Sequence, residues 1–208
     1  MEWAGYNSFY YCDHLFFSGE PLESVFHTQE QYLAGLLSRH QSLQSTYLNI
    51  WRRLVEKIHR PTWQVAYSFG EVKEQTDEDV LAQLLEIGNK MFLFAYYLAN
   101  GMLLFFREDF EGAISYLKSA GDNATGVVGM LTNAQYCFYY SLALLCDARE
   151  RKYAKNSEQL LHVEELVRTN QLSLHNFAKH APSNFQHKVI IFLYFFFYCF
   201  LMQKYFLL

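Results

Sequence analysis

Helix breakers are scarce in this chain: three prolines and ten glycines in 208 residues. That excludes a Pro/Gly-rich linker or a collagen-like repeat and points to long helices. Charge is also modest, with 18% charged against 51% hydrophobic residues, which excludes the high-charge, low-hydropathy class of disordered chains. The net charge of -4 and pI near 6.1 give no basic face for nucleic acid. Cysteine is limited to Cys12, Cys137, Cys146 and Cys199, and no two form a CxxC pair. The amino terminus lacks the basic segment, apolar core and small-residue cleavage site of a secretory leader. Reduced, buried thiols in a cytoplasmic chain are therefore expected, without disulfides. Catalytic signatures are missing too: no kinase Gly-rich loop, no His-Arg-Asp, no Asp-Phe-Gly and no Gly-x-Ser-x-Gly elbow. The residues argue scaffold and not chemistry.

What is present is helical periodicity. Ala4 to Phe17 is apolar enough for a buried helix, and Ser18-Gly19-Glu20-Pro21 stops it and starts the next. Leu22 to His40 and Leu43 to Ile58 follow at helical spacing, the second with Arg52, Arg53, Glu56 and Lys57 on its other face. Arg60-Pro61 ends that helix, and Pro61 to Asp79 shows no clear pattern except an acidic lead with Thr76 or Asp77 as cap. Val80 to Phe106 reads as one helix. Its apolar part, Met91 to Phe106, falls short of the roughly 20 residues that a bilayer needs, so burial in protein is expected. Phe110 to Ala120, Val127 to Leu145 and Ser157 to Lys179 continue the series, and Ala181-Pro182-Ser183 opens a last element. The sum is an all-α chain of about eight helices, folded as antiparallel helical hairpins in an irregular tetratricopeptide-like array.

The repeat signal is strongest at Phe105-Phe-Arg-Glu-Asp-Phe-Glu-Gly-Ala-Ile114. An aromatic ends one helix, an acidic turn follows, and Ala113 is the small residue that lets the next helix approach closely. Phe16 to Val25 reads as a degenerate second copy with Ser24 at the small position.

Three constellations invite a chemical reading and fail it. His175, His180 and His187 are spaced by five and seven residues around Pro182, without the i, i+4 pairing or nearby Cys that zinc on one helix wants. Gly121-Asp-Asn-Ala-Thr-Gly126 has the glycine spacing of a phosphate loop, but Val127 and Val128 stand where Lys and Ser/Thr are needed. The acidic run Glu74 to Asp79 lacks the glycine and ligand order of a calcium loop and reads as a solvated helix start. Asn123-Ala124-Thr125 matches a glycosylation sequon, which has no meaning without secretion. No catalytic, cofactor-binding or metal residue is expected.

After Lys188 the composition changes. Val189 to Leu208 is apolar and aromatic, interrupted only by Gln203 and Lys204. A helix apolar on all sides needs lipid, a core or a partner. The run is long enough to span a bilayer, with Lys179 and Lys188 on the preceding side, although the unbroken stretch before Gln203 is 14 residues.

His14-Leu-Phe-Phe-Ser-Gly-Glu-Pro-Leu-Glu23 and His180-Ala-Pro-Ser-Asn-Phe-Gln-His-Lys188 resemble part of a helical region in very large bacterial signalling proteins. Tyr96, Phe110, Gly126 and Tyr139-Tyr140-Ser141-Leu142 agree in order and spacing. Proteins of that family join a serine/threonine kinase, an AAA-type ATPase, a tetratricopeptide-like region, a GAF domain and a sensor histidine kinase. The resemblance covers about residues 4 to 188, all within the family's non-catalytic array. It implies a scaffold or relay segment of a two-component signal-transduction kinase, contacting neighbouring domains or protein partners through helical surfaces. The family's amphipathic helix after the His-Lys pair is replaced here by the aromatic tail, so a truncated or frameshifted copy is implied. Residues 1–188 then form the array and 189–208 a separate tail. The alternative expectation is a tail-anchored membrane protein with a cytosolic helical domain.

Overall fold

The computed structural model describes residues 2–59, 76–154 and 157–197. Among these residues there are nine α-helices and no strand. They are α1 (Glu2–Phe17), α2 (Leu22–Ser38), α3 (Ser42–His59), α4 (Asp77–Ile87), α5 (Lys90–Phe106), α6 (Phe110–Asp122), α7 (Leu131–Glu150), α8 (Glu158–His180) and α9 (Pro182–Phe196). The all-α hairpin fold expected from periodicity is the fold observed. The chain forms two compact units, Met1–Ala99 and Asn100–Leu208, and the division falls inside α5.

In the first unit α1, α2 and α3 pack on one another around Phe9, Cys12, Val25, Phe26, Tyr47 and Trp51, all buried. Phe9 stacks at a tilt on Tyr47 with ring centroids 4.5 Å apart, and Phe17 meets Trp51 edge-on at 5.2 Å. Burying each such ring stabilises the fold by roughly 1.5–3 kcal/mol. Thr76 caps α4: its hydroxyl accepts from the Asp79 amide at 3.1 Å, and the Asp79 carboxylate accepts from the Thr76 amide at 3.0 Å. Of the two caps that the sequence offers, Thr76 is the one used.

The single helix expected over Val80–Phe106 is two helices. Gly88 adopts the left-handed conformation (φ 65°) and its amide bonds to the Leu84 carbonyl, which closes α4. Asn89 then accepts from the Met91 amide at 2.9 Å and opens α5. Apolar residues run on through this break, so periodicity hides it.

In the second unit α6, α7, α8 and α9 pair in succession, and α7 also packs against α9. Asp109 caps α6 through the Gly112 amide at 3.0 Å, and Ser157 caps α8 through the Leu160 amide at 3.2 Å. Pro182 occupies the first turn of α9, where its missing N–H costs nothing. α7 begins at Leu131, later than the Val127 that apolar content suggested, because Ala124–Gly126 forms a short 3-10 turn first.

Four connections share one backbone solution. After α1, α2, α5 and α7 the chain closes with a left-handed residue flanked by two amide-to-carbonyl bonds that tie off the helix end, the Schellman arrangement. The left-handed residues are Gly19 (φ 85°), His40 (φ 55°), Glu108 (φ 62°) and Lys152 (φ 50°). The outer bonds run from Glu20 to Leu15 (3.3 Å), Gln41 to Leu36 (3.0 Å), Asp109 to Leu104 (3.0 Å) and Tyr153 to Ala148 (3.3 Å). The fold therefore repeats in its turns, where sequence similarity is weakest.

The two repeat-like segments differ. At Phe105–Ile114 the expectation holds: Ala113 is fully buried on α6. A side chain on Gly101 of α5 would meet Leu117 Cγ at 2.7 Å and the Ala113 carbonyl oxygen at 3.4 Å. The absence of a side chain at Gly101 is what permits the close approach. At Phe16–Val25 the small residue does not work that way. Ser24 is exposed, and the buried residues of that turn of α2 are its neighbours Val25 and Phe26.

Candidate functional site

The residues that invited a chemical reading disperse once folded, beginning with the histidines. His175 and His180 lie exposed on α8 and His187 lies exposed on α9. No group of three or more His, Cys, Asp or Glu among the described residues could hold a metal ion. In the Gly121–Gly126 segment the Asn123 amide bonds to the Ala120 carbonyl and the Gly126 amide to the Asn123 carbonyl, so these donors serve the turn. Asn123 also donates through Nδ2 to the Ser119 carbonyl at 3.0 Å, closing α6. This loop is a helix end.

The acidic run falls partly outside the described residues, which begin again at Thr76. Glu78 and Asp79 are exposed as expected, but Asp77 is half-buried and receives Arg53 at 2.6 Å and Lys57 at 2.5 Å. Burial opposes its charge, yet the hydrogen bonds from Lys57 and Arg53 prevail and hold the Asp77 carboxyl below the usual range. Tyr96 donates to the Asp77 carbonyl at 3.1 Å, so one residue ties α3, α4 and α5 together.

A buried carboxylic acid, Asp13 on α1, accepts from the Tyr47 hydroxyl of α3 at 3.1 Å. Burial pushes its carboxyl well above the carboxylate range. Burial, and then the Asp13 charge, push the Tyr47 phenol up as well. Asp13 Oδ1 and both amide atoms of the fully buried Gln29 on α2 have no hydrogen-bond partner. Nothing in the sequence flags this polar core; an acid four residues from a helix end reads as surface.

The Cys12 and Cys137 thiols are chemically quiet. Cys12, Cys137 and Cys146 are buried and outside any disulfide; Cys199 lies outside the described residues. Burial, aided by the Asp13 charge, raises the Cys12 thiol to about 12, and burial raises Cys137 to about 12. A thiol at such a value is protonated at neutral pH and is a poor nucleophile.

In the second unit the polar contacts join helices. Gln171 of α8 donates to the Ser141 hydroxyl of α7 at 3.0 Å, and Ser141 donates to the Cys137 carbonyl at 2.8 Å. Arg151 bridges Asp147 at 2.7 Å and Glu111 at 2.9 Å, linking the end of α7 to the start of α6. Lys188 of α9 lies 4.8 Å above the Phe138 ring of α7, and burial lowers its ammonium from the usual value.

α9 runs through Lys188 without a break, so the first part of the aromatic tail continues an array helix. Among the described residues no helix is long and apolar enough to cross a membrane. Among the described residues the outward faces of α2 and α8 expose Tyr32, Leu37, Leu161 and Leu172. Comparison with family models, with curated proteins and with solved structures returns no match.

Proposed function

We propose that this chain is a non-catalytic helical scaffold that docks protein domains on the outer faces of its hairpins and relays their state. The observation that carries the reading is the recurrent hairpin unit, closed four times by the same Schellman turn. The hairpins leave outer faces exposed, here on α2 and α8 while α7 is buried nearly all round, and such faces suit protein recognition. The Tyr47–Asp13 and Gln171–Ser141 hydrogen bonds hold helices to one another, and the Cys12 and Cys137 thiols are too weakly acidic to act as nucleophiles. The resemblance of residues 4–188 to the tetratricopeptide-like region of multidomain signalling kinases supports a cytoplasmic role between a serine/threonine kinase and a two-component sensor. That role would have the chain borrow its chemistry from the domains it contacts.

The test is calorimetric titration of the purified chain with GAF and kinase domains of that architecture, alongside incubation with radiolabelled ATP. Saturable binding without phosphate transfer by the chain alone supports the scaffold. Phosphate incorporation or ATP hydrolysis by the chain alone would refute it.

A further inference from the structure

α8 divides its surface lengthwise. One side buries Leu160, Val163, Val167, Asn170, Leu174 and Ala178. On the other, Leu161 and Leu172 are 54% and 59% exposed, and the side chains of Glu165 and Arg168 are 59% and 67% exposed. Successive intervals of four, three and four residues separate Leu161, Glu165, Arg168 and Leu172. At about 100° per residue these positions point within about 60° of one another. They form one stripe with the spacing of a coiled-coil seam, apolar at both ends and charged in the middle.

The stripe is self-complementary. Leu161 and Leu172 lie symmetrically about the point between Leu166 and Val167, and so do Glu165 and Arg168. A twofold axis through that point sets Leu161 of one copy against Leu172 of the other, and Glu165 against Arg168, twice over. Parallel pairing would instead put Glu165 on Glu165 and Arg168 on Arg168, which repel. Glu165 and Arg168 are already joined within the helix at 2.7 Å, so both side chains are ordered before a second copy arrives. A carboxylate and a guanidinium each have more acceptor or donor capacity than one pair uses, which leaves room for the opposite copy's pair.

We propose that two copies of this chain associate antiparallel through the α8 stripe, with a leucine pair at each end of a central network of two Glu165 and two Arg168 side chains. A match between a stripe and its own reverse is what an isologous contact requires, and this charge order selects a second copy as the occupant. One helix stripe is small among specific interfaces, so the dimer should be weak and reversible. The pairing goes beyond the scaffold reading and stands whether or not other faces bind protein domains.

The experiment is sedimentation equilibrium of the full chain over a wide range of concentration, in which monomer should give way to dimer. Glu165→Arg and Arg168→Glu should each weaken dimerisation by about tenfold or more, since each sets like charges across the axis. An equal mixture of the two variants should recover it, because their heterodimer restores every opposite-charge pair across the axis. Leu172→Asp should abolish it with helical circular dichroism unchanged, as this side chain is exposed. A chain that stays monomeric at every concentration would overturn the proposal. So would a dimer that Leu172→Asp leaves intact, or charge variants that fail to recover each other.

Discussion

The α1–α3 bundle and the α5–α6 hairpin reach close helix packing by opposite means. The bundle fills its core with large rings, Phe9, Tyr47 and Trp51, and encloses the acid Asp13 among them. The hairpin removes side chains instead, and Gly101 and Ala113 let two backbones meet. A core of rings around an acid is sensitive to charge, and a core of small residues is sensitive to volume. The two regions should therefore fail under different insults.

The largest effect should come from adding volume. Gly101→Val would place atoms where Leu117 Cγ already lies 2.7 Å from a Cβ position. Overpacking of this kind costs about 1–3 kcal/mol, and it should appear as a lower denaturation midpoint at every pH. An unchanged midpoint would mean that the helices separate freely there.

Charge should matter next, and only in the bundle. Asp13 has a folded pKa above its unfolded value, so its contribution is fully present below about pH 3.9. Stability then falls as pH rises toward the folded value, because the native state holds the extra proton. Asp13→Asn keeps an acceptor for Tyr47 and removes this slope. The variant should be more stable than the parent at pH 8, by on the order of 1 kcal/mol. Melting curves across pH check it, and an unaltered pH slope would count against a buried acid. Asp77 carries the opposite sign: its pKa is lowered, so its smaller contribution is present above about pH 3.9 and lost as pH falls further.

The shared turns give a smaller test with two directions. Gly19→Ala puts a Cβ on a left-handed residue and should cost about 1 kcal/mol. Glu108→Gly relieves the same constraint and should gain about 0.5–1 kcal/mol. Equal signs for the two would break the equivalence of the turns. The smallest effect is expected at Ser24, which is exposed: Ser24→Ala should stay within about 0.5 kcal/mol.

Much of the fold was legible because amphipathic periodicity and caps act locally. Thr76, Asp109, Ser157 and Pro182 each announced a helix start. The break at Gly88-Asn89 was not legible, since apolar residues continue through it and a lone glycine inside a helical pattern is ambiguous. The breaks at Ser18–Pro21 and Arg107–Asp109 were legible, but their common left-handed form was hidden, because His40, Glu108 and Lys152 do not mark a left-handed position as Gly19 does. Ser24 misled because a small residue marks close approach only when it lies on the buried arc. Ala113 does and Ser24 does not. Of the interaction surfaces, the apolar content of the tail was plain in sequence. Its continuity with α9 needed the fold.

The scaffold reading is tested most directly by hydrogen exchange of the full chain, alone and with a GAF or kinase domain of the resembled architecture. The account predicts protection of the hairpin cores in the free chain and added protection on consecutive outer faces when the domain is present. Core protection without any added footprint at saturating domain would contradict it.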